Sequence, residues 1–266
     1  MKSRMNIVME SKNIIILGRQ NESTRILYNS LSKNHHVSCV IVESEEAKLN
    51  FVKRRIKKLG FLRVLDQLLF IIFCSKVLEF FSRKRISEIL KENDISLNSI
   101  PEGKIVNVDS VNSQEVIDIL QGRNSDLIVL SGTRILANKV IYSTNSLILN
   151  IHAGITPNYR GVHGAYWALV SKEKHLAGVT LHVVDSGVDT GSIIDQDLIT
   201  ITKKDNYSTY PYLQLFIGVN LLLKYLDHNS LKGYDGKVIG GGGFSKQWFH
   251  PGLSQYLRYL FVLGVR

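Results

Sequence analysis

The sequence predicts an α/β protein built on a doubly wound, mostly parallel sheet with a short C-terminal helical and loop extension. Three observations carry this. Asn13–Leu17 (NIIIL) is a wholly apolar run closed by Gly18, the pattern of a strand buried on both faces. Ser23–Leu31 then sets Ile26, Leu27 and Leu31 on one helical stripe before a second apolar run, Val37–Val42. The strand pattern returns at Asp126–Leu130 (DLIVL) and at Leu147–Leu149, and strands alternating with helices build parallel sheets.

Composition fits one large domain, or one domain with an appendage. The chain has 266 residues, 44% hydrophobic and 21% charged, enough apolar surface for a sizeable core. Residues 1–202 read as a Rossmann-like core with a basic, apolar helical insertion near 51–85. Residues 203–266 read as a C-terminal helix followed by a Gly-rich and aromatic extension. Cys39 and Cys74 each lie inside an apolar run without metal-ligand spacing, so both are expected to be reduced core residues. Met1–Glu10 shows no apolar leader, and no apolar run reaches the ~18–20 residues of a membrane span. A cytoplasmic location is expected. The net charge of +10 points to anionic partners without choosing among them.

In chain order, the turn after the first strand reads GRQNES and holds one glycine. A dinucleotide fingerprint needs several, so NAD and FAD are not expected. In Phe51–Arg85, basic clusters at Lys53–Arg55, Lys57-Lys58 and Arg83–Arg85 flank the apolar stretch Phe61–Phe73. One or two helices packed on the sheet or on a second subunit are expected there, with solvated basic residues. A peripheral contact with an anionic membrane is the minor alternative. Helix continues over Ile86–Glu92, and Ile100–Val108 is an extended link ending in a short strand. Asn112–Gln121 is a helix capped by Asn112-Ser113. After Asp126–Leu130 comes Ser131–Leu136 (SGTRIL), beyond a strand's carboxyl end, where open α/β sheets bind ligands. Lys139–Tyr142 is a brief helix. Strands are expected at Val179–Val184 and Ile193–Thr200, a helix at Ala165–Ser171, and a long helix at Tyr207–Leu226. The tail carries Gly240–Gly243, then Trp248 to Pro251, then an amphipathic run, Leu253–Val262.

The chemistry concentrates in Leu149–Gly191. Residues two apart in a strand share a face, so Asn150 and His152 project together. A Pro- and Gly-bearing loop follows, and the later strand ends in a turn holding Asp185 and Asp189. An amide and an imidazole can stabilise an oxyanion, with a carboxylate to hold the imidazole or steer a water. His152 can serve as acid or as base, and either Asp can be the carboxylate.

Four linked motifs occur here in order: Asn150-x-His152, Pro157-x-Tyr159-Arg160-Gly161, Gly178-Val179-Thr180-x-His182 and Val188-Asp189-Thr190-Gly191. Together they resemble the core of the folate-dependent formyltransferases. That family includes glycinamide ribonucleotide transformylase, methionyl-tRNA formyltransferase, formyltetrahydrofolate hydrolase and the sugar N-formyltransferases. The resemblance implies N10-formyltetrahydrofolate as donor, no metal, and Asn150, His152 and Asp189 as the catalytic set, Asp189 being preferred because it directly precedes Thr190-Gly191. It implies a folate pocket built from Gly132, Thr133, Arg134 and Leu136 on one side and Asp185, Gly187 and Val188 on the other. Thr156, Tyr159, Arg160 and His163 are the candidate acceptor-binding residues, while His182 and Trp167 read as structural. Gly154-Ile155-Thr156-Pro157 stands where the family carries Ser-Leu-Leu-Pro, which leaves a hydroxyl to Thr156.

The acceptor follows by elimination. GRQNES lacks the glycines with which glycinamide ribonucleotide transformylase holds its substrate phosphate. The 66 residues after position 200 look unlike the β-barrel domain of methionyl-tRNA formyltransferase, and no regulatory domain of a hydrolase is visible. A small-molecule amine on a nucleotide-linked amino sugar is therefore expected, with nucleic acid disfavoured. Phe61–Phe81 and the aromatic tail are candidate homodimer surfaces. The non-enzyme alternative is a binding module that meets membrane or nucleic acid through Lys53–Arg85.

Overall fold

The computed structural model describes residues 11–46, 48–228 and 234–266; Met1–Glu10 lies outside them. The chain opens β1 (Asn13–Gly18), α1 (Glu22–Leu31), β2 (His36–Glu43), α2 (Lys48–Leu59) and α3 (Phe61–Leu69). A π-helical turn, Phe70–Ser75, runs directly into α4 (Lys76–Glu92). The middle holds β3 (Ile105–Val108), α5 (Gln114–Gly122), β4 (Leu127–Ser131), α6 (Asn138–Ile141) and β5 (Leu147–His152). Then come β6 (Tyr159–Gly161), α7 (Gly164–Val170), β7 (Gly178–Val183) and β8 (Ile193–Leu198). The chain closes with α8 (Tyr210–Asp227), β9 (Lys246–Trp248) and α9 (Leu253–Leu263).

The main sheet has seven strands in the order β3-β2-β1-β4-β5-β7-β8. β3 to β5 are mutually parallel, while β7 runs antiparallel to both β5 and β8. The sheet is the mostly parallel, doubly wound one expected. Its two faces carry separate cores, and β1 feeds both by alternation: Ile14 and Ile16 join one cluster, Ile15 and Leu17 the other. Strand order reverses between β1 and β4, which creates a crevice at their carboxyl ends. Gly18 is needed at that edge, because a Cβ there would lie 2.6 Å from the Thr24 hydroxyl of α1.

One expectation changes. The last long helix starts at Tyr210 rather than Tyr207, with Pro211 in its first turn, the one place where a helix accepts a proline without losing a hydrogen bond. The tail packs back on the domain: β9 pairs in parallel with β6, and the Trp167 indole donates to the Phe249 carbonyl at 2.9 Å. The helical insertion packs on the core through Val64, Phe70 and Ile89, all buried, while much of its apolar surface stays in solvent.

Burial also sets a pH dependence. His35, His163, His182 and His250 lie below their ordinary value of 6.5, in each case first because burial disfavours a charged ring. His250 is pushed down to about 4, with Arg55 adding to burial. An unfolded chain binds protons at these rings below pH ~6.5 and the folded chain does not, so stability is full above ~6.5 and falls as pH drops through the folded values. His250 alone contributes about 3 kcal/mol to that loss. The thermal midpoint is therefore expected to decline between pH 6.5 and 4 and to decline less in His250→Gln. A midpoint that stays flat across this window would contradict the burial argument.

Candidate active site

β5 delivers Asn150 and His152 on one face, as the period of two requires, and the β7–β8 turn brings Asp189 against them. Asp189 Oδ1 stands 3.4 Å from His152 Nδ1 and 3.9 Å from His182 Nε2, and its Oδ2 accepts the Gly161 N–H at 2.9 Å. Asp189 has φ +52°, a conformation that short Asp and Asn side chains tolerate better than most. Asp185 has a different task. Its carboxylate accepts the Gly187 N–H and the Thr190 hydroxyl, which folds the turn that presents Asp189. Of the two carboxylates, Asp189 is the one that lies beside both imidazoles.

The rings are oriented by carbonyls. His152 Nε2 donates to the Tyr159 carbonyl at 2.7 Å, since a carbonyl only accepts. Its other nitrogen, Nδ1, lies 3.4 Å from the Asp189 carboxylate. Gly154 makes the Nε2 contact possible: a Cβ there would lie 2.3 Å from the Tyr159 carbonyl and 2.9 Å from His152 Nε2. His182 is held the other way. Its Nδ1 donates to the Val183 carbonyl at 2.8 Å, and burial keeps the ring neutral, so Nε2 is an acceptor for the Asn150 amide N–H at 3.1 Å. This fixes the Asn150 amide with its second N–H turned elsewhere. His182, read from sequence as structural, is therefore a positioning residue for Asn150. Its signal was its cross-strand pairing with Asn150, which a sequence without strand register does not reveal. His182→Ala is expected to lower kcat about 10- to 100-fold with little change in KM for folate, because a loosened amide loses alignment. Steady-state kinetics with an unchanged kcat would count against the role.

A cavity of about 420 Å³ opens beside these groups, lined by Asn150, His152, His182 and Asp189. Gly132, Thr133, Arg134 and Leu136 from the β4 side and Asp185, Gly187 and Val188 from the turn line it as well. All seven residues expected for a folate pocket thus meet at one cavity. Buried Glu43 holds the lining residue Arg134 from behind, accepting the Arg134 and Val111 N–H groups at 3.1 Å each and lying 3.3 Å from the Arg134 guanidinium. A second cavity, about 470 Å³, sits on the other side of the β5 end and shares Leu130, Gly132, Ile151 and Ala153 with the first. Its distinctive residues are Asn21, Glu22 and Ser23 after β1, and Tyr212 and Gln214 of α8. Among the described residues, no group of three His, Cys, Asp or Glu is disposed to hold a metal ion.

The four residues expected on the acceptor side each bond to other parts of the chain. Thr156 is buried, and its N–H and hydroxyl both go to Thr180 Oγ1. The Tyr159 side chain is buried against Glu173, and only its carbonyl serves the site. Arg160 ties down its loop, donating to the Val188 carbonyl at 3.1 Å and to Ser245 Oγ at 3.1 Å. His163 is packed against Tyr207 and His250, its Nε2 lying 2.6 Å from the Tyr207 hydroxyl. Neither cavity is lined by any of the four.

Two cavities share the end of β5, and the first of them gathers an amide, two imidazoles and a carboxylate near the crevice where open α/β sheets bind ligands. Residues 12–215 match the formyl transferase family, and the chain belongs to it. Over 100 residues it is 34% identical to the methionyl-tRNA formyltransferase of Thermodesulfovibrio yellowstonii, a match covering 38% of this chain and 32% of that protein. The match thus spans about a third of that relative's length. Among solved structures, the phosphoribosylglycinamide formyltransferase of Anaplasma phagocytophilum superposes with a TM-score of 0.53 at 19% identity, covering 82% of this chain and 86% of that one. A sugar N-formyltransferase from Shewanella sp FDAARGOS_354 gives 0.52 at 15% identity, covering 88% and 76%. At these identities the likeness to both structures is one of fold.

Proposed function

We propose that the protein transfers the formyl group of N10-formyltetrahydrofolate to a primary amine, carried by a nucleotide-linked amino sugar. The observation that carries the reading is the pair of cavities meeting at β5, one for the folate and one for the acceptor. In this reaction the amine lone pair attacks the formyl carbon, and the carbonyl oxygen becomes an oxyanion. The free Asn150 N–H and the His152 ring stabilise that charge, with Asp189 as counter-ion to the ring. Collapse breaks the bond from the formyl carbon to N10, which gains a proton as the amine loses one. The His152–Asp189 pair or a water it holds relays that proton.

Support for the acceptor comes from the turn after β1. The Asn21 side chain already accepts the Thr24 N–H, and Glu22 adds a carboxylate to the second cavity, hydrogen-bonded to the Tyr212 hydroxyl at 2.5 Å. A phosphate seated on this helix start would meet that carboxylate, which disfavours a small phosphorylated amine such as glycinamide ribonucleotide. A carboxylate suits the amine or hydroxyls of a sugar. The test is a panel of nucleotide-linked amino sugars, glycinamide ribonucleotide and methionyl-tRNA, following tetrahydrofolate release. Acceleration by one sugar class supports the reading. Release that no amine accelerates makes the protein a folate hydrolase, and no turnover with no folate binding removes the enzyme reading.

A further inference from the structure

The face formed by α3, the π turn and α4 lines neither cavity of the site. We propose that it is a docking surface for an anionic lipid membrane, on which the protein lies peripherally. Leu62, Leu65, Leu69, Phe73, Val77 and Phe81 follow one another at steps of three or four residues and are 78, 41, 36, 60, 54 and 78% exposed. On a helix this spacing is one continuous stripe, here about 30 Å long. Single exposed hydrophobics are ordinary on a protein surface, whereas a contiguous stripe of this length marks an interaction surface.

Charge identifies the occupant. Residues 53–85 hold ten Lys or Arg and two Asp or Glu, while the rest of the chain holds 23 and 21. The segment therefore carries a net +8 of the chain's +10, with five of its ten cations on α2 beside the face and five on α3 and α4. Arg63, Lys76, Arg83 and Lys84 are exposed on the same helices. Lys76 is three residues from Phe73 and four from Phe80, and the Arg83 guanidinium lies 4.9 Å over the Phe80 ring. Of the two acids, Asp66 turns to the tail and accepts the Ser254 hydroxyl, which leaves Glu79 on the exposed surface. An apolar stripe rimmed by cations matches the acyl and anionic headgroup layers of a membrane interface. A second copy of this chain would set two strongly cationic segments against each other, which repel. A nucleic acid would leave the phenylalanines and leucines in water. Among the described residues no helix is long and apolar enough to cross a membrane, so the contact is with its surface.

The test is co-sedimentation of the full chain with phosphatidylcholine vesicles containing about 30% phosphatidylglycerol at about 0.1 M salt. Binding is expected to be at least about tenfold tighter than to phosphatidylcholine alone and to weaken at about 0.5 M salt. Phe73→Ser with Phe81→Ser removes apolar contact at exposed positions and is expected to lower partitioning about tenfold or more, with the circular dichroism spectrum unchanged. Arg83→Glu with Lys84→Glu is expected to do the same, at about fivefold per charge removed. Equal pelleting with and without vesicles, or equal binding to neutral and anionic vesicles, would overturn the proposal. So would a dimer in sedimentation velocity that Phe73→Ser/Phe81→Ser disperses, with no vesicle binding. The result is independent of the formyl acceptor.

Discussion

Asn150→Ala is expected to lower kcat by about 100- to 1000-fold while leaving the thermal midpoint and the affinity for folate nearly unchanged. Asn150 is half-buried at the end of β5, with one amide N–H given to His182 Nε2 at 3.1 Å. Its second N–H is the fixed donor that can meet an oxyanion in the cavity Asn150 lines. Removing one such preorganised donor costs about 2.7–4 kcal/mol of transition-state stabilisation, because the dipole is already aimed and needs no reorganisation. The ground-state amide of the donor carries little charge, so its binding depends weakly on this group. The signature is therefore a fall in kcat at constant KM, measured by steady-state kinetics with saturating acceptor. A proportional rise in KM at constant kcat would instead make Asn150 a uniform binding contact.

The parts of this site that sequence made legible are those governed by local period. Asn150 and His152 share a face because strands alternate, and Ser131–Leu136 lies where a strand ends at the sheet's crevice. Loop side chains are another matter. Thr156, Tyr159, Arg160 and His163 share one short loop, yet each is turned by a partner remote in sequence: Thr180, Glu173, Ser245 and His250. Nothing within the loop encodes those directions. The second cavity was missed for the same reason, since Glu22 and Tyr212 meet across 190 residues. Phe61–Phe81 shows a further limit. Its helical period was plain, but an apolar stripe reads the same whether it faces a core or solvent. Val64 and Phe70 are buried while Leu62 and Phe73 are exposed, a distinction of packing and not of pattern.

Asp189→Asn is expected to lower kcat by about two to four orders of magnitude without unfolding the turn. Asparagine tolerates the left-handed backbone at this position, and the substitution keeps volume and shape. What changes is the pattern of donors. Asp189 Oδ2 accepts the Gly161 N–H at 2.9 Å, so an asparagine here must keep its carbonyl oxygen toward Gly161. Its NH2 group then occupies the position 3.4 Å from His152 Nδ1, and a donor faces a nitrogen that formerly faced a carboxylate. The Tyr159 carbonyl still requires a proton on Nε2. His152 is thereby held as the Nε2–H tautomer, which takes the Nδ1 proton and its carboxylate partner out of the relay. Nitrogen NMR of the ring would report that tautomer directly, a readout that simple loss of structure would not produce. Asp185→Asn is the control. Asp185 does not touch either imidazole but accepts the Gly187 N–H and the Thr190 hydroxyl, contacts an amide oxygen can keep. Its kcat should therefore stay within about tenfold of the parent protein. A larger loss in Asp185→Asn than in Asp189→Asn would reverse the assignment of the catalytic carboxylate.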